Sequence, residues 1–230
     1  MFKKLKHRTK IAIDRFPEIY LRLSRLRKAS KHKVIGKDTD IVIEGFPRCG
    51  NSFAVLAFEL AQEKEIEIAD HLHAPAQIIA AANWSIPAVV LVRNPIDAVT
   101  SLLIRNSIMT PKRGLSDYIH FYSNVYPYRE SFVIGLFDEV TTDFGKVIDK
   151  VNTRFSTHFN TFNHNEPNEE KVFRKIEEMK ISAPYENKEE AISRPSEHKE
   201  KRKEEVRTSF KSDELKQLKS KAHKVYEKFL

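Results

Sequence analysis

The sequence predicts a single α/β domain in which helices cover both faces of a parallel β-sheet. Short apolar runs alternate with helical patterns along much of this 230-residue chain, as they do in repeated βαβ units. A glycine-containing loop follows the first apolar run, and polar residues follow the second and the third. Because ligands of parallel sheets bind at the carboxyl ends of the strands, these three loops should form one functional edge.

Apolar periodicity, glycine and proline place the individual elements. Strands are expected at residues 41–43, 65–68, 88–92 and 132–137. Helices are expected at residues 52–62, 76–83, 115–126, 169–179 and 197–229, with a further helix starting at Pro95. The helix at 115–126 is rich in aromatic residues and should cover one face of the sheet. The last helix is long and charged, with an apolar stripe formed by Leu215, Leu218, Ala222, Val225 and Phe229.

The composition limits the compartment and the partners. A net charge of +8 favours an anionic partner, and nucleic acid, an acidic membrane, a glycan and a phosphate-rich cofactor all fit. Cys49 is the only cysteine, so an internal disulfide is excluded and a reducing compartment, the cytoplasm, is expected. The chain has no run of 18 apolar residues and no secretory pattern near its start, so we expect a soluble protein.

Residues 1–37 are predicted to form a basic, helical N-terminal extension, and residues 38–230 to form the α/β domain with its charged C-terminal helix. Apolar residues recur at helical spacing between Phe16 and Leu26, and arginines occupy other faces. Three interpretations of this extension stay open: a helix packed on the domain, a peripheral membrane contact, and a docking site for a partner.

The loop after the first strand reads Gly45-Phe46-Pro47-Arg48-Cys49-Gly50-Asn51-Ser52. It fits the phosphate-binding template G-x-x-x-x-G-K-S/T except at Asn51, which replaces the lysine. A preceding strand and a following helix are the required context, because backbone N–H groups then point at a phosphate. The sheet is therefore expected to be of the P-loop nucleotide-binding type. The missing lysine argues against turnover of ATP or GTP, and Arg48 supplies a positive charge inside the loop instead.

This loop resembles the phosphosulfate loop of sulfotransferases, P-K-S-G-T-T-W, which binds the donor 3′-phosphoadenosine 5′-phosphosulfate (PAPS). The corresponding residues here are Pro47, Arg48, Cys49, Gly50, Asn51, Ser52 and Phe53. The resemblance implies that Arg48 contacts the transferring sulfuryl group and that Phe53 stacks near the adenine. It also implies that Asn51 and Ser52 hold the 5′-phosphate. Arginine for lysine and asparagine for threonine both keep donors for anionic oxygens.

A second resemblance follows the third strand. The segment from Arg93 to Ser101, R-N-P-I-D-A-V-T-S, is similar to the family signature R-N/D-P-x-D-x-x-x-S. It implies that Arg93 and Ser101 together bind the 3′-phosphate, the group that distinguishes PAPS from other adenylates. Pro95 suits the first turn of the next helix, and Asp97 suits the positive end of its dipole. The two signatures occur in the family's order and at a matching separation.

A catalytic base is expected at the exit of the second strand, in Asp70-His71-Leu72-His73-Ala74-Pro75. Transfer to a hydroxyl requires a group that takes the acceptor proton, and animal cytosolic sulfotransferases place a histidine in a similar T-H-L-P segment. Bacterial sulfotransferase-like sequences carry an H-L-H-A-P-A-Q stretch similar to residues 71–77. His71 is slightly preferred over His73. A structural role or a zinc site are alternatives, but no third ligand has an obvious spacing, so no metal is expected.

The predicted function is transfer of a sulfuryl group from PAPS to a hydroxyl or amine of a small-molecule or glycan acceptor, by in-line displacement. The product would be 3′,5′-ADP (PAP), and no nucleic acid partner is expected. Arg194 and Lys199 are candidates to close over the 3′-phosphate, by position and chemistry only, because the family's R-K-G segment does not occur. Two alternatives stay open: a kinase-like phosphotransferase with a displaced lysine, and a basic binding protein that keeps the fold without catalysis.

Overall fold

A four-stranded parallel sheet forms the centre of the computed structural model, which describes residues 11–27, 32–106, 108–181 and 197–230. The strands are β1 (Ile41–Gly45), β2 (Ile68–Asp70), β3 (Ala88–Val92) and β4 (Val133–Leu136), in the order β2-β1-β3-β4. All three neighbouring pairs are parallel. The predicted α/β fold class is confirmed.

The strand order explains why β3 is continuously apolar and why β1 is apolar up to Glu44. β1 and β3 lie inside the sheet and every one of their residues is buried, as expected where helices cover both faces. The chain passes from β1 to its neighbour β2 and then returns across β1 to β3. The crevice between the carboxyl ends of β1 and β3 is therefore the switch point of the sheet, where α/β proteins bind ligands.

Helices pack on both faces of the sheet. The helices of the described residues are α1 (Pro17–Arg25), α2 (Asn51–Ala61), α3 (Pro75–Trp84), α4 (Pro95–Arg105), α5 (Pro111–Val125), α6 (Phe137–Thr142), α7 (Phe144–Phe155), α8 (Glu166–Ile181), α9 (Glu197–Thr208) and α10 (Lys216–Glu227), with 3₁₀ turns at Tyr126–Ser131 and Asp213–Leu215. α2, α6, α7 and α8 pack together on one side, and the others pack on the opposite side. Four of these helices begin with proline, at Pro17, Pro75, Pro95 and Pro111, where its missing N–H costs nothing.

Several predicted elements differ from the structure; α5 and α8, for example, begin four and three residues earlier than expected, at Pro111 and Glu166. The second strand was expected at residues 65–68 but begins at Ile68. The reason is that Glu67 pairs with the chain just before β1, where the N–H of Asp40 donates to the Glu67 carbonyl. The helix expected at 197–229 is divided into α9 and α10, because the chain buries Phe210 between them and turns back at Asp213–Leu215. The predicted apolar stripe of the second half is nevertheless buried at Leu215, Ala222, Val225 and Phe229.

The aromatic helix α5 covers the sheet as predicted. Leu115, Tyr118 and Tyr122 are fully buried on it, so these aromatic residues are core residues. The described part of the N-terminal extension shares the same core, since Tyr20 and Ile35 are buried there and α1 packs on α3. Within the described residues, no helix combines the length and the apolar composition that a membrane crossing requires.

Candidate active site

The loop between β1 and α2 is shaped by a turn that places Arg48 at the sheet edge. The N–H of Cys49 donates to the carbonyl of Phe46 (3.3 Å), with Pro47 and Arg48 in the central positions. Arg48 has a φ of +72°, and proline followed by a residue with positive φ is typical of a type II turn. Gly50 has a φ of +91° and precedes α2, whose N-terminus carries no side-chain cap within the described residues. Its first N–H groups therefore point toward the space above the loop.

Asn51 stabilises the loop from inside. Its side-chain amide donates to the carbonyl of Phe46 (3.0 Å), and the side chain is buried. Asn51 would therefore reach an anion through its backbone N–H rather than through its side chain. The Cys49 thiol points into the core, where burial raises its pKa to about 11. Cys49 could likewise contact an anion only through its backbone N–H.

Residues from the two sequence signatures meet across the crevice between β1 and β3. The Arg48 side chain donates from Nε to Oγ of Ser101 on α4 (2.9 Å). The Arg93 side chain donates from Nη1 to the backbone carbonyl of Arg48 (3.0 Å). Two guanidinium groups and one hydroxyl therefore lie at the same edge, beside the N-terminus of α2.

Arg93 is held between an aromatic ring and the sheet. Its guanidinium lies 3.8 Å from the ring centroid of Phe137, and the Tyr118 hydroxyl donates to its carbonyl (2.7 Å). Burial lowers the pKa of Arg93, while the carboxylates of Asp97 and Asp138 act in the opposite direction. A cleft of about 520 Å³ opens beside it; its lining includes Asn94, Asp97, Phe137, Asp138, Lys146, Lys150 and Tyr226.

On the other side of the loop, the buried carboxylate of Glu44 fixes the turn at residues 71–73, the histidine turn, which carries both histidines. Its Oε2 atom accepts from the N–H of Leu72 (2.8 Å) and of His73 (3.1 Å), and Oε1 accepts from the N–H of Gly45 (3.0 Å). The Gln77 side chain also donates to Glu44. A single charged residue near the end of β1 therefore determines the course of the chain after β2.

The turn is conformationally strained at both histidines. His71 and His73 have φ values of +50° and +49°, and together with Arg48 they make three of the five non-glycine residues with positive φ in the described part of the chain. Such conformations cost about 1–3 kcal/mol each and persist where the surrounding structure enforces them, most often at functional sites. All three lie at the edge where the two signatures meet.

His71 links an aspartate on one side to a hydroxyl on the other. Its Nε2 atom lies 3.2 Å from Oγ of Ser52, and its Nδ1 atom lies 3.0 Å from Oδ2 of Asp70, off the line of an ideal hydrogen bond. Burial alone would raise the pKa of Asp70, but the contact with His71 and the charge of Lys33 leave it below its usual value. A proton on Nδ1, facing the carboxylate, leaves Nε2 as the basic nitrogen.

His71 also lines a groove of about 400 Å³ along the edge strand β2. Its lining includes Lys33, Ser52, Glu59, Glu65, Glu67 and Asp70. His73 is oriented differently: its Nδ1 atom lies 2.7 Å from the carbonyl of Gly45 and 3.4 Å from Glu44. The two rings are 5.7 Å apart. The groove therefore reaches His71 from a different side than the cleft that reaches Arg93.

The side chain of Phe53, which was predicted to stack near an adenine, is buried in the structure. Phe53 is only 5% exposed, because its ring packs among Phe162, His164 and Phe173. Stacking on an adenine would require this cluster to open, and it stays a prediction. Arg194 and the side chain of Lys199 lie outside the described residues.

Several residues of the site carried no sequence signature. Glu44 ends an otherwise apolar strand, and a lone acid in such a run was the only signal that it organises the next loop. Tyr118 and Tyr122 were assigned to the core, which is correct for their rings but omits their hydroxyl contacts with the carbonyls of Arg93 and Leu91. Phe137 was predicted only as the end of the fourth strand, whereas its ring faces Arg93 in the cleft.

Comparisons with known proteins give matches among solved structures. No family model and no curated protein matches the chain. Among solved structures, it is similar to mouse sulfotransferase SULT7A1 complexed with PAP, at 15% sequence identity and a TM-score of 0.44. The match covers 85% of this chain and 92% of that one. At this identity and TM-score, the likeness assigns neither a donor nor a site residue.

Proposed function

We propose that the protein is a sulfotransferase that moves the sulfuryl group of PAPS to a hydroxyl or amine acceptor. The observation that carries the proposal is that Arg48 and Arg93 meet at the loop before α2, while His71, held by Asp70, contacts Ser52 in the first turn of α2. Two guanidinium groups beside an uncapped helix N-terminus fit a ligand with separate anionic groups. A basic histidine nitrogen that contacts the first turn of the same helix fits transfer to a protonated acceptor.

The cationic side of the site would hold the donor. The backbone N–H groups at the start of α2 and the Ser52 hydroxyl donate to the 5′-phosphate, and Arg93 with Ser101 reaches the 3′-phosphate. Arg48 stabilises the charge on the sulfuryl oxygens and on the departing phosphate oxygen. Since Arg48 bonds to Ser101 in this structure, it exchanges that hydroxyl for the sulfuryl group on binding.

His71 would act as the base and Asp70 as the residue that positions it. The acceptor oxygen attacks sulfur while Nε2 of His71 takes its proton. The sulfur–oxygen bond to the 5′-phosphate breaks and its electron pair stays on the phosphate, giving 3′,5′-ADP. Access supports His71 over His73, because His71 lines the groove beside β2 while His73 is bonded to Gly45. With the proton of His71 on Nδ1, Ser52 donates to Nε2, so its recruitment by the phosphate would free that nitrogen for the acceptor.

Thermal denaturation with four ligands tests the donor assignment. We expect 3′,5′-ADP to stabilise the protein by about 2.7 kcal/mol at a hundredfold excess over its Kd, and 5′-AMP, ATP with Mg²⁺ and RNA to stabilise it less. Stabilisation by ATP with Mg²⁺ alone would favour the phosphotransferase, and stabilisation by RNA alone would favour the binding protein. Either outcome contradicts the proposal.

The Arg48→Ala variant tests the chemistry. We expect turnover of PAPS to fall more than affinity for 3′,5′-ADP, because that product lacks the sulfuryl group. Arg48→Lys, the matched control, should retain more activity because it keeps the charge while losing the planar fork. Equal losses of turnover and product affinity in Arg48→Ala would mean that Arg48 only anchors phosphate.

A further inference from the structure

Helix α1 has two apolar faces, and the domain covers only one of them. Tyr20, Leu21 and Ser24 are buried where α1 packs on α3. Phe16, Ile19, Leu23 and Leu26 remain 45%, 51%, 43% and 81% exposed. Their spacing of three and four residues places them along one stripe of the helix. In the part of the chain that the structure describes, half of the eight exposed large apolar side chains lie on this one segment.

Positive charge accompanies this stripe. Arg15 and Arg22 are exposed. At 100° per residue Arg22 lies just beside the stripe on the side away from the buried face, and the Arg15 guanidinium, in the turn before α1, lies 5.0 Å from the ring centroid of Phe16. The sequence is unusually basic here: residues 1–37 contain 13 lysines and arginines and only two acidic residues. Because the whole chain has a net charge of +8, residues 38–230 have a net charge of −3. The basic excess of the protein therefore comes entirely from the segment that carries α1.

We propose that the α1 face, formed by Phe16, Ile19, Leu23 and Leu26 with Arg15 and Arg22, docks on an anionic lipid bilayer. An apolar stripe bordered by arginines suits the boundary between acyl chains and headgroups, where apolar side chains insert and cations meet lipid phosphates. The stripe is narrow for a stable protein partner, which typically covers about 800 Å² on each side. Because the positive charge is concentrated in one segment, we expect the partner to be a surface that carries many negative charges.

Docking requires no detachment of α1 from the domain. The carbonyl of Asp14 accepts from the N–H of Ala76 (2.7 Å), and the Asp14 carboxylate lies 2.7 Å from Nε2 of His120. At the other end of the helix, Arg25 donates to the carbonyl of Ile35 (2.5 Å). Since Ala76 follows His73 by three residues, the segment that leads into α1 is anchored close to the histidine turn.

Flotation of the full chain with lipid vesicles tests this proposal independently of any enzymatic activity. We expect binding to phosphatidylcholine vesicles that contain phosphatidylserine, and little binding to phosphatidylcholine alone. Ile19→Glu combined with Leu23→Glu should weaken binding at least tenfold. Arg15→Gln with Arg22→Gln should weaken it about fivefold per arginine, which corresponds to about 1 kcal/mol for each charge.

The control is Ile108→Glu, which places the same charge on an exposed apolar residue in the loop between α4 and α5. It should bind vesicles like the unchanged protein, and all variants should keep its thermal midpoint because the substituted residues are exposed. Equal binding by Ile19→Glu/Leu23→Glu and the unchanged protein would overturn the proposal. So would absence of binding to anionic vesicles, or a dimer that dissociates in this variant, since the stripe would then contact a second copy.

Discussion

The two sides of the loop between β1 and α2 both present basic side chains to the same edge of the sheet, but different interactions hold them. On the β3 side, the hydroxyls of Tyr118 and Tyr122 donate to the carbonyls of Arg93 and Leu91. On the β2 side, the Glu44 carboxylate accepts from the N–H of Gly45 in β1 and from two N–H groups of the histidine turn. Neutral donors position the arginine, whereas a buried charge positions the histidines.

This difference predicts different responses to pH. Burial raises the pKa of Tyr118 and of Tyr122, and raises that of Cys49 to about 11, so these groups stay neutral at physiological pH. On the β2 side, Asp70 has a lowered pKa because His71 and Lys33 favour its charged form over the opposing effect of burial. The tyrosine contacts that hold the β3 side should therefore be insensitive to acid, and the contact between Asp70 and His71 on the β2 side should be sensitive to it.

The largest effect should follow from removing the buried charge. Glu44→Ala leaves several buried donors without an acceptor, and we expect the free energy of unfolding to fall by about 3–5 kcal/mol. Glu44→Gln should be intermediate, because its NH₂ group cannot accept a hydrogen bond. Urea denaturation measures both, with the exposed Glu63→Ala as control. A loss below about 1 kcal/mol in Glu44→Ala would show that the turn holds its shape without this carboxylate.

The next largest effect concerns ligand binding on the β3 side. Arg93→Ala should weaken binding of 3′,5′-ADP by about 1.5–3 kcal/mol, or about 10- to 150-fold, because a charge-assisted contact to phosphate is lost. Binding of 5′-AMP should change little. Isothermal titration with both ligands measures the difference, and Arg105→Ala, at the other end of α4, is the control. Equal losses for the two ligands would show that Arg93 does not read the 3′-phosphate.

The sequence predicted the β3 side better than the β2 side, for a physical reason. Continuous apolar strands, a proline at the start of α4 and the R-N-P segment are local patterns, and β3 was placed at its correct residues. The histidine turn depends on Glu44, which lies 27 residues before His71 in the sequence. Only the pairing of β1 with β2 brings Glu44 into contact with the turn. No local pattern encodes that contact. The second strand was misplaced by three residues for the same reason, since its pairing with β1 sets its start.

A smaller effect is expected at the residue that positions the proposed base. Asp70→Asn should lower turnover roughly tenfold while affinity for 3′,5′-ADP stays unchanged, because the amide no longer favours the tautomer with a basic Nε2. Steady-state kinetics and titration separate the two quantities, with the exposed Asp38→Asn as control. A parallel loss of turnover and product affinity would indicate a structural role only.

The same variant tests the acid sensitivity of the β2 side. A carboxyl with a lowered pKa in the folded state binds fewer protons there than in the unfolded chain, so its contribution to stability is present above the usual aspartate pKa. This contribution is lost as the pH falls through the folded-state pKa. The stability difference between the unchanged protein and Asp70→Asn should therefore be largest near pH 7 and shrink below about pH 4. A difference that stays constant down to pH 3 would contradict the ion pair.

The smallest effect should come from a hydroxyl on the β3 side. Tyr122→Phe removes the donor to the Leu91 carbonyl (2.6 Å), and with it the contact to the Cys49 sulfur (3.3 Å). The cost should be only about 0.5–1.5 kcal/mol, because neither lost partner carries a charge. The cost should also be the same at pH 5 and pH 8, since the tyrosine and the thiol are neutral at both. Urea denaturation at the two pH values measures it, and the partly exposed Tyr128→Phe is the control. A cost above about 3 kcal/mol, or one that changes between pH 5 and pH 8, would mean that a charged group also positions the carbonyls on this side, and the contrast between the two sides would fail.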